Sequence, residues 1–168
     1  MLKGAAIVLG VLLAIVLIVV LVGYSLPQNH VASREATFNL PPAHIFSVLQ
    51  DVEDYPSWRS DVRTIEVIAR GPMLRWREHG SNGAITFEIQ ESQAPARLVS
   101  RIADPSLPFG GSWTYLLSPH DAGARLTITE HGEVYNPIFR FMSRFVFGHT
   151  ATIDGFLADL QARLQKGA

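Results

Sequence analysis

From Ala5 to Val22 the chain is built only of Ala, Ile, Val, Leu and Gly, and no Asp, Glu, Lys or Arg occurs between Gly4 and Ser33. At about 1.5 Å of rise per residue this run makes a helix of roughly 27 Å, close to the thickness of a bilayer's hydrocarbon core. A helix satisfies its own backbone hydrogen bonds, so such a segment can lie in lipid without a partner. Tyr24 stands at its exit, where an amphipathic ring suits the headgroup zone. A secretory signal has an apolar region of only about 7–15 residues and ends at a small-x-small site. Here the run is longer, and Val22-Gly23-Tyr24-Ser25-Leu26-Pro27 offers no good pair. With no polar face, the run is also a poor soluble helix. The expected organisation is a transmembrane anchor over residues 1–25, a linker over 26–29 and one domain over 30–168.

Lys3 precedes the apolar run, and Arg34, beside Glu35, is the first basic residue after it. The positive-inside bias therefore points to a single-pass protein with a cytoplasmic N-terminus and an exported domain. The connector Ser25–Asn29 reaches less than roughly 20 Å even when extended, which keeps the domain beside the bilayer. The 168-residue chain has no cysteine, which excludes disulfides and thiolate metal sites. Its net charge is −1 with the signs mixed and no basic run, so nucleic acid is not an expected partner. The sequence carries no signal for an oligomeric state.

The remaining residues alternate between strand and helix patterns. His30–Asn39 alternates as a strand, and Pro41-Pro42 then stops it and pre-sets a helix start. Ala43–Gln50 carries Ile45, Phe46, Val48 and Leu49 at helical spacing, and Asp51 is placed to cap a second short turn through Tyr55. Six strands are expected next, over Val62–Arg70, Met73–His79, Ala84–Glu91, Arg97–Ile102, Ser112–Leu117 and Arg125–Tyr135. Asn136 as N-cap and Pro137 at the first helical position then open one long helix to Lys166. Its apolar stripe runs Ile138, Met142, Phe145, His149, Ile153, Phe156, Leu160 and Leu164. Gly148 and Gly155 weaken it and are candidates for a bend or a close approach. Successive hairpins followed by one helix predict an α+β domain, a curved antiparallel sheet wrapped around the last helix with a cavity between them.

The segment Leu40-Pro-Pro-Ala-His-Ile-Phe-Ser-Val-Leu-Gln-Asp51-Val-Glu-Asp-Tyr55-Pro-Ser-Trp58-Arg-Ser-Asp61-Val62 carries a helix–Asp–Tyr-Pro–x–Trp pattern. Together with Gly111-Ser-Trp113-Thr-Tyr115 and Gly123-Ala-Arg125-Leu-Thr-Ile-Thr-Glu130, it resembles the SRPBCC superfamily. That superfamily takes in START lipid-transfer domains, birch-pollen-allergen-like proteins and polyketide cyclase/dehydrase-like proteins. The resemblance spans roughly Val31–Gln165 and implies the helix-grip fold. Its members range from lipid carriers to cyclases and hydrolases, so it leaves the activity open. The apolar N-terminal run lies outside the matched region.

The expected function is membrane-anchored binding or transfer of a lipid or other apolar small molecule. A cyclase-, dehydratase- or hydrolase-like enzyme in the same cavity is the alternative, and a tethered partner-binding domain with a collapsed core is a third reading. The candidate ligand-binding residues are Trp58, Trp76, Phe87, Trp113, Tyr115, Met142, Phe145, His149 and Ile153, since apolar pockets use aromatic walls and few polar groups. Each is also an ordinary core residue by type, Trp58 most of all, as a plug beside the short helices.

Glu130, His149 and Tyr115 are the candidate proton-transfer groups. Glu130 shares strand parity with Leu126, Ile128 and Val134, which would point it inwards; the alternatives are a salt bridge to an arginine such as Arg75 or Arg101, or a solvated position near the sheet's edge. Arg140 and Arg144, near Phe139 and Phe147, are placed either to meet anionic headgroups or to form a solvated face. The six histidines show no H-x-x-H or HExxH spacing, and no G-x-S-x-G, Walker or Rossmann pattern occurs, so neither metal nor cofactor is expected.

Overall fold

Among the residues that the computed structural model describes, 2–148 and 150–166, one seven-stranded antiparallel sheet carries the domain. The helix α1 (Leu2–Ser25) comes first and is long and apolar enough to cross a membrane. Then come β1 (Asn29–Phe38), α2 (Pro42–Gln50), a 3-10 turn (Val52–Asp54) and α3 (Tyr55–Trp58). The meander β2 (Val62–Ala69), β3 (Arg75–Gly80), β4 (Gly83–Gln93), β5 (Arg97–Ile102), β6 (Phe109–His120) and β7 (Gly123–Val134) follows. The sheet order is β1-β7-β6-β5-β4-β3-β2, so the first strand pairs with the last, His30 facing Gly132 and Ala32 facing Glu130. Strands and helices fall where the residue pattern puts them, within a few residues at each end, and the architecture is the α+β helix-grip fold.

The Pro41-Pro42 pair works as expected, with Pro41 extended (ψ 150°) and Pro42 opening α2. Asp51 precedes the 3-10 turn but makes no side-chain cap bond there. β6 starts earlier than the glycine-rich stretch suggests, because Gly110 and Gly111 pair with Glu133 and Gly132. The larger departure is the last helix. It breaks into α4 (Pro137–Met142), a π turn (Ser143–Phe147) and α5 (Ala151–Lys166), separated by Gly148 at φ 75° and ψ 162°. That backbone conformation is essentially restricted to glycine. The apolar stripe therefore holds only beyond the break, where Ile153, Phe156, Leu160 and Leu164 are buried, while Ile138 and Phe145 are 41% and 59% exposed.

Two ends of the sheet differ because of that break. At one end α2 and the later turns of α5 fill the concave face, with Ile45, Leu49, Leu126, Ile128 and Leu160 wholly buried. Polar ties hold α5 in place: Arg163 meets Asp54 at 3.1 Å, and at the edge of the cavity Ser60 donates to Asp159 from both its backbone N (2.7 Å) and its hydroxyl (2.8 Å). Strand alternation puts the start of β1, the end of β7, the start of β6 and the β3–β4 turn at the other end, beside α1. There the broken helix leaves the sheet uncovered.

α1 does not leave the domain as a free rod. Its last turns pack on α4, and a side chain at Gly23 would overlap the Pro137 carbonyl. Arg140, 6% exposed, donates to the carbonyls of Leu26 (3.0 Å) and Tyr135 (3.2 Å), and its guanidinium lies 5.8 Å from the centre of the Tyr24 ring. This corrects the pairing of Arg140 with Arg144 as headgroup contacts: Arg140 is a buried latch, and Arg144 alone of the two is exposed.

Candidate functional site

A cavity of about 640 Å³ lies between the concave sheet, α3, α4 and the first turns of α5. Its aromatic wall comes from alternate positions on adjacent strands, which is why period-two residues converge. Trp76 on β3 stacks on Phe87 of β4, with ring centres 5.6 Å apart and planes 20° apart. Trp113 and Tyr115 on β6 continue the wall, and Phe156 of α5 packs against both at 5.9 and 5.7 Å. Phe139 and Met142 of α4, then Ser143 and Gly148, form part of the rim.

Two polar groups interrupt this wall. The first is centred on Arg59, whose Nη1 donates to Glu78 Oε1 at 2.9 Å while Nε and Nη2 grip Asp61 at 3.1 and 2.7 Å. Trp76 Nε1 also donates to Glu78 Oε1, at 3.0 Å. Arg59 lies over the rings of Tyr55 (5.0 Å) and Phe156 (5.4 Å). Burial raises the Glu78 pKa despite the opposing pull of Arg59. Burial also works against the charge on Arg59, but Glu78 and Asp61 outweigh it and hold the guanidinium firmly protonated.

The second group is Glu130 with Thr152 and His30. Thr152 Oγ1 donates to Glu130 Oε2 at 3.1 Å, and His30 Nε2 stands 3.5 Å from Glu130 Oε1. Both ionisable side chains are mostly covered, at 16% and 17% exposure. Burial raises the Glu130 pKa, against the Thr152 hydrogen bond, and burial lowers the His30 pKa. Each shift favours the neutral form. Gly132 is what admits the imidazole, since a Cβ there would overlap the His30 ring.

The structure gathers Trp76, Phe87, Trp113, Tyr115, Met142 and Glu130 around one cavity. It places three other candidates off its wall. Trp58 packs edge-on against Tyr55 (5.4 Å) and Phe156 (5.5 Å), as a plug behind the wall. Ile153 is wholly buried in the core, and Phe145 is exposed in the π turn before the helix break. His149 lies outside the described residues. Glu130 faces His30 and Thr152 instead of Arg75, which donates to the Ala103 carbonyl, or Arg101. Burial pushes the Tyr115 phenol well above its ordinary value, so it is a neutral O–H group at physiological pH.

Arg59, Glu78 and His30 escaped the sequence reading. For Glu78 the usable signal was its two-residue spacing from Trp76. Among the described residues no three acidic or imidazole groups converge as metal ligands do.

A family model described as "Polyketide cyclase / dehydrase and lipid transport" matches residues 29–165. Among solved structures, a START superfamily protein from Mycobacterium smegmatis superposes with a TM-score of 0.68 at 15% identity, covering 83% of this chain and 99% of that one. A protein from Thermus thermophilus does so at 0.67 and 20% identity, covering 83% and 99%. The Zhui aromatase/cyclase from Streptomyces sp. R1128 gives 0.65 at 16% identity, covering 82% and 93%. Identities this low establish a shared fold and no more. No curated protein matches the chain.

Proposed function

The chain belongs to the polyketide cyclase/dehydrase and lipid transport family, and from that premise we propose that it is a membrane-tethered domain that binds or transfers a lipid or another apolar small molecule. The carrying observation is the cavity of about 640 Å³, which is large enough for a lipid-sized or drug-sized ligand. Trp76, Phe87, Trp113 and Tyr115 are proposed to hold the apolar body of the ligand, with Met142 at the rim. Arg59 and Glu78, already paired, offer hydrogen bonds to a polar end without leaving a lone buried charge. In this reading α1 anchors the protein as a single pass, with the N-terminus cytoplasmic and the domain exported. Residues 26–29 link it to the binding domain.

Native mass spectrometry of the full chain, released from lipid nanodiscs, tests this. A bound apolar species is expected, and it should disappear in Ile85→Trp, which fills the cavity from β4. Finding no such species, either co-purified or after addition of a membrane lipid extract, rejects the binding reading.

A second reading rests on Glu130. A carboxyl whose pKa burial raises, beside an imidazole on an apolar wall, is suited to general acid–base work, as in a cyclase, dehydratase or hydrolase. Tyr115, held neutral, would serve there as a hydrogen-bond donor. Turnover of an aromatic polyketide or ester probe that is lost in Glu130→Gln, with ligand binding retained, supports the enzyme. Equal turnover in both proteins removes it.

A further inference from the structure

The α1–α4 contact sets the depth at which the cavity rim would lie. Val19, Val20 and Val22 lose part of their exposure and Gly23 is buried, while the α1 side chains from Ile7 to Ile18 stand open. The partner that covers them is α4, held by the close approach of Gly23 to Pro137 and by the Arg140 latch. Four residues of helix rise about 6 Å, so Val19 lies that far below Gly23 along the axis. A helix packed on these turns sits at the boundary between acyl chains and headgroups whenever α1 spans a bilayer.

The surface that α4 and the π turn present there is apolar. Ile138 (41%), Phe139 (47%), Phe145 (59%) and Val146 (58%) are all exposed, with Arg144 between them. Exposed apolar residues clustered in this way mark an interaction surface, and interfacial segments bury such faces about 5–10 Å into the boundary. Phe139 also lines the cavity, as do Met142, Ser143 and Gly148.

We infer that the α4–π segment, Pro137–Phe147, docks into the interface of the same bilayer that holds α1, so that the cavity opens directly onto the lipid. Binding of this face to the membrane needs no separate affinity, because the latch presents it at fixed depth and high local concentration. Apolar burial, not charge, drives the docking. A ligand then passes between bilayer and cavity across the Phe139–Gly148 rim without crossing water. This inference rests on the proposed membrane tether, and its ligand route rests on the proposed binding function.

The chain has no cysteine, so single spin labels test it cleanly. Val146→Cys, Leu13→Cys and Met73→Cys are labelled separately in the full chain. Each is reconstituted in phosphatidylcholine vesicles and in vesicles containing phosphatidylglycerol. Collisions with oxygen report lipid, and collisions with a water-soluble nickel chelate report solvent. Met73, 64% exposed in the β2–β3 turn at the opposite end of the sheet from α1, is the solvent reference.

The expected result is a strong shift toward oxygen at residues 13 and 146, equal in both vesicle types, and none at residue 73. Lipid at residue 13 with water at residue 146 overturns the docking and leaves the tether and the binding function standing. Water at residue 13 overturns tether and docking together, whatever mass spectrometry finds in the cavity. Lipid at residue 146 only with phosphatidylglycerol shows that charge does the docking, and overturns the apolar mechanism. Protection of residue 146 from both reagents, with spin–spin broadening, marks a second copy on that face and overturns it too.

Discussion

Arg59 and Glu78 carry the sharpest residue-scale consequence. Their side chains are only 11% and 9% exposed, and while Arg59 also grips Asp61, the Glu78 carboxylate has Arg59 as its charged partner. Replacing one partner of a buried pair leaves the other uncompensated, at a cost of about 3–5 kcal/mol. Arg59→Met is expected to lose stability on that scale, read by denaturant unfolding of the full chain in detergent with tryptophan fluorescence. Arg59→Met with Glu78→Met should recover much of the loss. An equal loss in the double variant would show that the pair itself, and not the orphaned carboxylate, sets the cost.

Glu130 makes a pH prediction whose sign follows from its raised pKa. The native state keeps a proton that the unfolded chain releases just above the ordinary carboxylate range. Its stabilising contribution is full below that range and is lost as pH rises through the native value. Glu130→Gln does not titrate. Its melting temperature relative to the parent chain should therefore climb as pH rises above the ordinary carboxylate range and level off above the native pKa. His30, whose pKa is lowered, acts in the opposite sense nearer neutrality, which is why the variant-minus-parent difference is the quantity to plot. A flat difference contradicts the burial of Glu130.

At the scale of elements, the last helix is decided by its two ends and its break. The Asn136 side chain accepts from the backbone N–H groups of Ile138 (2.9 Å) and Phe139 (3.3 Å). Asn136→Ala is expected to cost about 1 kcal/mol, seen as a lower melting temperature by circular dichroism. Gly148→Ala forces a Cβ onto a backbone suited to glycine, at a cost of about 1–3 kcal/mol, or else straightens the segment and narrows the cavity. Pro41-Pro42 and Asn136-Pro137 are readable as helix starts because capping chemistry is local. The place of the break is not, since the 3.6-residue apolar repeat runs on through Met142, Phe145 and Ile153, and nothing local in Gly148 dictates a positive φ. An unbroken repeat puts Phe145 inside, whereas the break turns it outward.

At the scale of the whole molecule, cavity and stability are coupled. One end of the sheet is packed solid and the other is hollow, so a ligand that fills the hollow adds contacts found only in the native state. Ligand at about one hundred times its Kd should stabilise the fold by about 2.7 kcal/mol, and thermal shift in nanodiscs measures it. Ile85→Trp should abolish that shift; a shift that survives places the ligand elsewhere.

By itself the sequence determined the apolar N-terminal helix, the successive hairpins of the meander, and the inward strand parity of Glu130. Each follows from a repeat of two or 3.6 residues or from capping chemistry, all of which act between near neighbours along the chain. The alternation in β3, Arg75-Trp76-Arg77-Glu78-His79, also contains the inward Glu78, but charged neighbours make it look solvated. Only the tertiary structure decided that Arg59 comes from the end of α3 to meet it, that His30 lies over Gly132, and that Arg140 turns from the surface to hold α1. Those contacts join residues far apart in the chain, and their partners are chosen by the closing of β1 on β7 and by the seating of the broken helix, which no local pattern encodes.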